Sequence, residues 1–155
     1  MMMKKSLIQA LLATTLISSP VLVSAQNEGE KTIETSDAWI RFTPGTIPMA
    51  GYFTLNNSSD QTITITGAES ADFGHVMMHQ TVNDSGQMSM QHMGEGLDVA
   101  AASHVTFAPG GMHLMLMQRQ RPLTPGDHVN VTLNLADGGA ISVEFEVKPI
   151  SYEGP

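Results

Sequence analysis

The 155-residue sequence contains no cysteine. Disulfides, a thiolate-ligated blue-copper centre and thiol redox chemistry are therefore closed to the chain itself. Basic residues are also few, seven lysines and arginines against fifteen acidic residues. Nucleic acid requires a basic footprint and anionic membrane surfaces attract positive charge, so neither is an expected partner. No stretch carries the apolar period of a convincing amphipathic helix. There is no G-x-S-x-G nucleophile elbow, no H-E-x-x-H and no P-loop. Carboxylates are scattered rather than paired for acid and base roles. An enzyme is not expected.

What is present begins with a leader. MMMKK supplies a basic start, residues 6–23 an apolar stretch, and Val23-Ser24-Ala25 a small-residue cleavage site. Gln9, Ser18, Ser19 and Pro20 interrupt the apolar run, which argues for cleavage over a retained membrane anchor. Cleavage after Ala25 removes Lys4 and Lys5. It leaves 130 residues with five basic and fifteen acidic side chains, a net charge of −10. With no lipobox cysteine, the expected product is soluble and exported. Residues 26–32 read as a polar, flexible lead-in.

From residue 33 onwards, short β runs alternate with turn residues. Strands are expected around 33–40, 51–56, 62–68, 75–82, 87–93, 104–107, 111–118, 129–135 and 140–147. The run TITITGA alternates strictly, and Asp137-Gly138-Gly139 marks a hairpin. This spacing predicts one all-β domain over 33–149, a sandwich or small Greek-key barrel, followed by a tail at 150–155. Ile63, Ile65, Val105, Phe107, Val129, Val131, Leu133, Ile141, Val143 and Phe145 are the expected core. Such a set stabilises the domain without metal.

Histidine and methionine are concentrated in one stretch. Residues 75–117 hold five of the six histidines and eight of the nine methionines beyond the leader. Side chains two residues apart on a strand share a face. His113 and Met115 therefore share one face, and Met112, Leu114 and Leu116 the other. A hairpin turning at Asp84-Ser85 pairs residues whose numbers sum to 169, setting His79 opposite Met90 and Met77 opposite His92. Imidazole plus thioether, without carboxylate or thiolate, is a soft and neutral donor set that suits Cu(I). Met49, Met112 and Met78 read as core fillers, and His104 and His128 as surface residues.

The chain resembles the periplasmic PCuAC-type copper chaperones, which carry His, ten residues, Met, about twenty-one residues, then His-x-Met. Here His79 is followed by ten residues and Met90, and His113-Leu114-Met115 closes the pattern after a spacer of twenty-two. Supporting matches are Asp37-Ala38-Trp39 with Arg41, Gly51-Tyr52 with Asn56, Pro109-Gly110-Gly111, Arg121-Pro122-Leu123 and Pro125-Gly126-Asp127. The resemblance covers roughly 33–149. It implies a cupredoxin-like fold and a Cu(I) site made of His79, Met90, His113 and Met115. It also implies periplasmic delivery of copper to cytochrome oxidase copper centres by ligand exchange. The oxidase's copper-site subunit and a Sco-type thiol protein are the implied partners.

Two other readings stay open. One is periplasmic copper buffering or resistance, with extra donors from His75, Met77, Met88, His92 and Met93. The other is a metal-free sandwich whose methionine-rich face binds a protein. For the leader, mass spectrometry of the exported protein should find Gln26 as its first residue. An intact Met1 would contradict the export reading.

Overall fold

The computed structural model describes residues 33–155, so the leader, its cleavage site and the lead-in lie outside the described residues. Ten strands follow one another with no helix among the described residues. They are β1 (Ile33–Arg41), β2 (Met49–Asn57), β3 (Ile63–Ser70), β4 (Phe73–Asp84), β5 (Gln87–His92), β6 (Leu97–Val99), β7 (Ser103–Phe107), β8 (Met112–Arg119), β9 (His128–Leu135) and β10 (Ala140–Lys148). The sequence pattern anticipated nine of them. The tenth, β6, is three residues pairing only with β3, too short to show an alternation.

Seven strands close into a barrel in the order β4, β8, β2, β1, β10, β9, β3, and β3 returns to β4 through Ala68 opposite Val76 and Ser70 opposite Phe73. The β1–β10 pairing is parallel, with Trp39 opposite Glu146. The other ladders are antiparallel. The fold is the all-β barrel expected from the alternation, and the cupredoxin-like barrel that the family resemblance implies. Along β9, Val129, Val131, Leu133 and Leu135 turn inward while His128 and Asn130 stay exposed. Phe53 stacks on Phe107 at 4.5 Å and meets Phe145 edge-on at 5.7 Å, joining β2, β7 and β10 at the centre. Val105 and Ile141, expected in the core, are only half-buried. Val105 sits on short β7, which pairs only with β2, and Ile141 lies beside the β9–β10 turn.

Outside the barrel, two stretches of sheet are treated differently. Over β1 and β2 the last residues fold back: Tyr152 meets Trp39 edge-on at 4.9 Å, and Arg41 lies 5.4 Å above the Trp39 ring. Trp39 is buried as a result. Over β4, β5 and β8 no such cover exists among the described residues, and all six residues of β5 are exposed.

One buried polar residue ties the loops at the far end of β2. Asn57, wholly buried, donates from Nδ2 to the carbonyls of Gln61, Val99 and Ala100 at 2.8–3.1 Å. Its Oδ1 accepts from the Ser59 hydroxyl at 2.6 Å. Its neighbour Asn56, the one in the family pattern, reaches only Ser58 at the surface. Asn57→Ala strands these carbonyls and should lower stability by about 2–3 kcal/mol in urea unfolding. Asn56→Ala should change it by less than about 0.5 kcal/mol. Equal effects would contradict this role for Asn57.

Candidate metal centre

The site follows from how β4 is paired. At twelve residues β4 is the longest strand, and it bonds to β8 along one edge. Along its other edge it bonds first to β3 and then to β5. Val76 and Met78 point into the barrel with Leu114 and Leu116 of β8. By parity, His75, Met77 and His79 face outward, and so do His113, Met115 and Met117. Register then places His79 opposite His113, Met77 opposite Met115, and His75 opposite Met117. On the next strand, Met115 adjoins Ala50, a side chain too small to cover it.

The β4–β5 hairpin turns one residue later than expected from sequence. Asp84 pairs with Gln87, and the loop is Ser85-Gly86 with φ of +54° and +89°. Two positive φ values define the turn whose twist matches a hairpin, and glycine at its second position carries no steric penalty. Paired numbers therefore sum to 171, not 169. His79 faces His92 rather than Met90, and Met77 lies past the end of the β4–β5 ladder, with Met115 beside it on the β8 edge. A shift of two keeps parity, so Met88, Met90 and His92 still share the outward face. The Ser85-Gly86 dipeptide was the available signal, since a two-residue turn at Asp84-Ser85 leaves the glycine on a strand position.

Three imidazoles thus stand in a row across three strands. The His79 ring centre is 5.5 Å from that of His92 and 5.8 Å from that of His113. Beneath the His79–His113 pair lies the Met77–Met115 pair, giving a two-by-two block of nitrogen and sulfur donors. Met90 stands apart, opposite Thr81 and 61% exposed. On an untwisted ladder it would lie two strands (about 10 Å) and four residues (about 13 Å) from Met115. Of the four residues expected to bind metal, the structure gathers His79, His113 and Met115, and leaves Met90 on the projecting hairpin. Met112 packs against the core, as parity requires.

The donors are in a state fit for a soft cation. His113 is buried, at 6% exposure, and its Nδ1 lies 3.4 Å from the Gly111 carbonyl. A proton on that Nδ1 leaves Nε2 free as a ligand, the usual way an outer contact orients a metal-binding imidazole. His79 Nδ1 is buried and has no hydrogen-bond partner among the described residues. A buried nitrogen left unpaired costs about 1–3 kcal/mol, and a metal ion is a partner of the right chemistry. Burial, followed by the charges of His113 and His92, holds the His79 pKa below its ordinary 6.5. Neutral imidazole, the metal-binding form, is thereby favoured. Among the described residues no three His, Asp or Glu side chains already close on one point, so thioethers are needed to complete a site.

Comparison with known proteins gives the family and the fold. The family model "Putative lipoprotein LpqE-like" matches residues 33–147. A "Putative lipoprotein" of Leifsonia xyli subsp. xyli is 33% identical over 130 residues, 83% of this chain and 78% of that protein. The solution structure of Cu(I)-bound DR1885 from Deinococcus radiodurans is 31% identical, with a TM-score of 0.59 over 81% of this chain and 83% of that one. The copper-bound PCuAC domain from PmoF2 is 24% identical, with a TM-score of 0.61 over 76% and 92%. At that identity it speaks to the fold alone.

The depressed His79 pKa gives a test on the metal-free protein. As pH falls the unfolded chain takes up this proton first. The stability tied to neutral His79 is therefore complete above 6.5 and is lost as pH drops through the lower folded value. Urea unfolding should show stability declining from roughly pH 7.5 to pH 5, and His79→Gln should make that decline shallower. Parallel profiles for the two proteins would refute it.

Proposed function

The chain belongs to the LpqE-like family and to the PCuAC-type copper chaperones, and from that premise we propose that it is an exported Cu(I) carrier. The observation that carries this reading is the block of His79, His113, Met77 and Met115 on an uncovered outer face of the barrel. Its donors are neutral and soft, which favours Cu(I) over Zn²⁺, Mg²⁺ or Ca²⁺. In this reading His79 and His113 bind through nitrogen and Met115 through sulfur. Met90 closes the site when the β4–β5 hairpin curls towards it, and Met77 offers a thioether inside the block.

Transfer proceeds by exchange. Because every ligand is uncharged, no thiolate bond has to be broken. Because the face is open, an acceptor's ligands replace these donors one at a time. Met90 is the most exposed of the four and the first to be displaced. The acceptor in this proposal is the copper-site subunit of cytochrome oxidase, with a Sco-type thiol protein supplying the redox chemistry that a cysteine-free chain lacks. The compartment is the periplasm. Membership of a family described as lipoproteins accords with export, although these 155 residues contain no cysteine to lipidate.

A buffering role has one observation in its favour, the further donors Met88 and Met90 at 60% and 61% exposure. Stoichiometry separates the two. Anaerobic titration against a competing Cu(I) chelator should give one tight site. His113→Ala or Met115→Ala should weaken it by on the order of 100-fold or more, beyond the usual loss of an outer-shell partner. Met112→Leu, only three residues from Met115 but on the core side, should leave affinity unchanged. Several equivalent sites would favour buffering, and equal losses at Met112 and Met115 would refute the parity argument.

A further inference from the structure

The methionines differ widely in their access to water. Met49 and Met78 lie in the core at 1% and 3% exposure, and Met77 and Met115 in the donor block are half-buried. Met88 and Met90 keep 60% and 61% of their surface in water. We propose that Met88 and Met90 are the sites at which a peroxide oxidises this protein, and that the sulfoxide at Met90 switches off Cu(I) binding. The inference rests on the reading that makes Met90 the closing donor, and on this chain's own geometry for where the oxidant strikes.

The two thioethers are matched. They stand two residues apart on β5, so they share one face. Opposite them across the ladder are Asn83 and Thr81, both short polar side chains. Strand β5 ends the strand order, and its outer edge has no partner among the described residues. A peroxide therefore reaches both sulfurs directly from solvent. The sulfur attacks one peroxide oxygen, forming an S–O bond as the O–O bond breaks. The other oxygen takes the proton and leaves as water. Sulfur loses two electrons and the peroxide gains them, giving methionine sulfoxide.

That change removes a ligand without touching the fold. A thioether is the soft donor that selects Cu(I), whereas a sulfoxide is polar and presents a harder oxygen. At Met49 or Met78 the same oxidation would put a polar group into the core. On β5, where all six residues are exposed, it meets only water. Ligation acts in the opposite direction. A metal ion on the Met90 sulfur occupies the lone pair that the peroxide needs, so loading shields Met90 and not Met88. Equal exposure makes Met88 the internal control for its neighbour.

Hydrogen peroxide treatment of the metal-free protein, followed by peptide mass spectrometry, tests where oxidation falls. Sulfoxide should form at Met88 and Met90 at least about tenfold faster than at Met77 or Met115. After the peroxide is removed, anaerobic titration against a Cu(I) chelator should show affinity lower by about tenfold or more. The urea midpoint should be unchanged, and the two methionine sulfoxide reductases together should restore the affinity. Met90→Leu, weaker from the outset, should lose nothing more on treatment, and Met88→Leu should respond like wild type. Protein loaded with Ag(I), a soft stand-in that does not cycle with peroxide, should be oxidised at Met88 but spared at Met90. Faster oxidation of Met77 or Met115 would overturn the proposal. So would unchanged Cu(I) affinity after both β5 methionines are oxidised. Untreated Met90→Leu that binds Cu(I) like wild type would overturn the switch while leaving the carrier intact. Failure of untreated wild type to bind Cu(I) would remove the carrier reading beneath it.

Discussion

Everything about the candidate centre depends on the antiparallel ladder of β4 with its two neighbours. A strand sends alternate side chains to opposite faces, so one ladder places Val76, Met78, Leu114 and Leu116 in the barrel and His79, His113, Met77 and Met115 outside it. The inward set gains by leaving water, and that gain locks the register. Slipping β8 by one residue would turn Leu114 and Leu116 outward and send His113 into the apolar interior of the barrel, which has no partner for it. The metal donors are therefore held in place by the packing of residues that never touch the metal.

That separation bears on the proposed handling of copper. The core of phenylalanine, valine and leucine lies on the other side of the sheet from the donors. The fold does not draw on the donors for its core, unlike small zinc domains where metal binding supplies the folding energy. A preformed site need not unfold to release its ion. The barrel supplies rigid spacing for His79, His113 and Met115, and the projecting β5 supplies the exposed donors.

The outer surface is managed selectively. Trp39 is roofed by Tyr152 and Arg41, so the apolar face of β1 and β2 is closed. On β5, Met88 and Met90 keep about three-fifths of their surface exposed. Large apolar side chains left in water on one face are the kind of exception that marks a binding surface. Here they share β5 with His92, beyond the histidine row, where the proposed reading gives them a part in metal exchange.

The sequence by itself determined the strands, the faces and the donor chemistry. Period-two alternation is a local property, so TITITGA, VNVTLNL and HLMLM revealed which residues turn inward without any knowledge of their neighbours. The composition of 75–117 likewise specified soft, neutral donors. What only the tertiary structure decided was which residues meet. The β4–β8 pairing joins segments more than thirty residues apart in the chain, and no local pattern encodes such a register. It was set by core packing, which put Met77 beside Met115. Even the local β4–β5 hairpin was misread by two, because the register hinges on which residues of Asn83–Gly86 take positive φ. Parity survived that error since two is the period of a strand, while the identity of His79's neighbour did not.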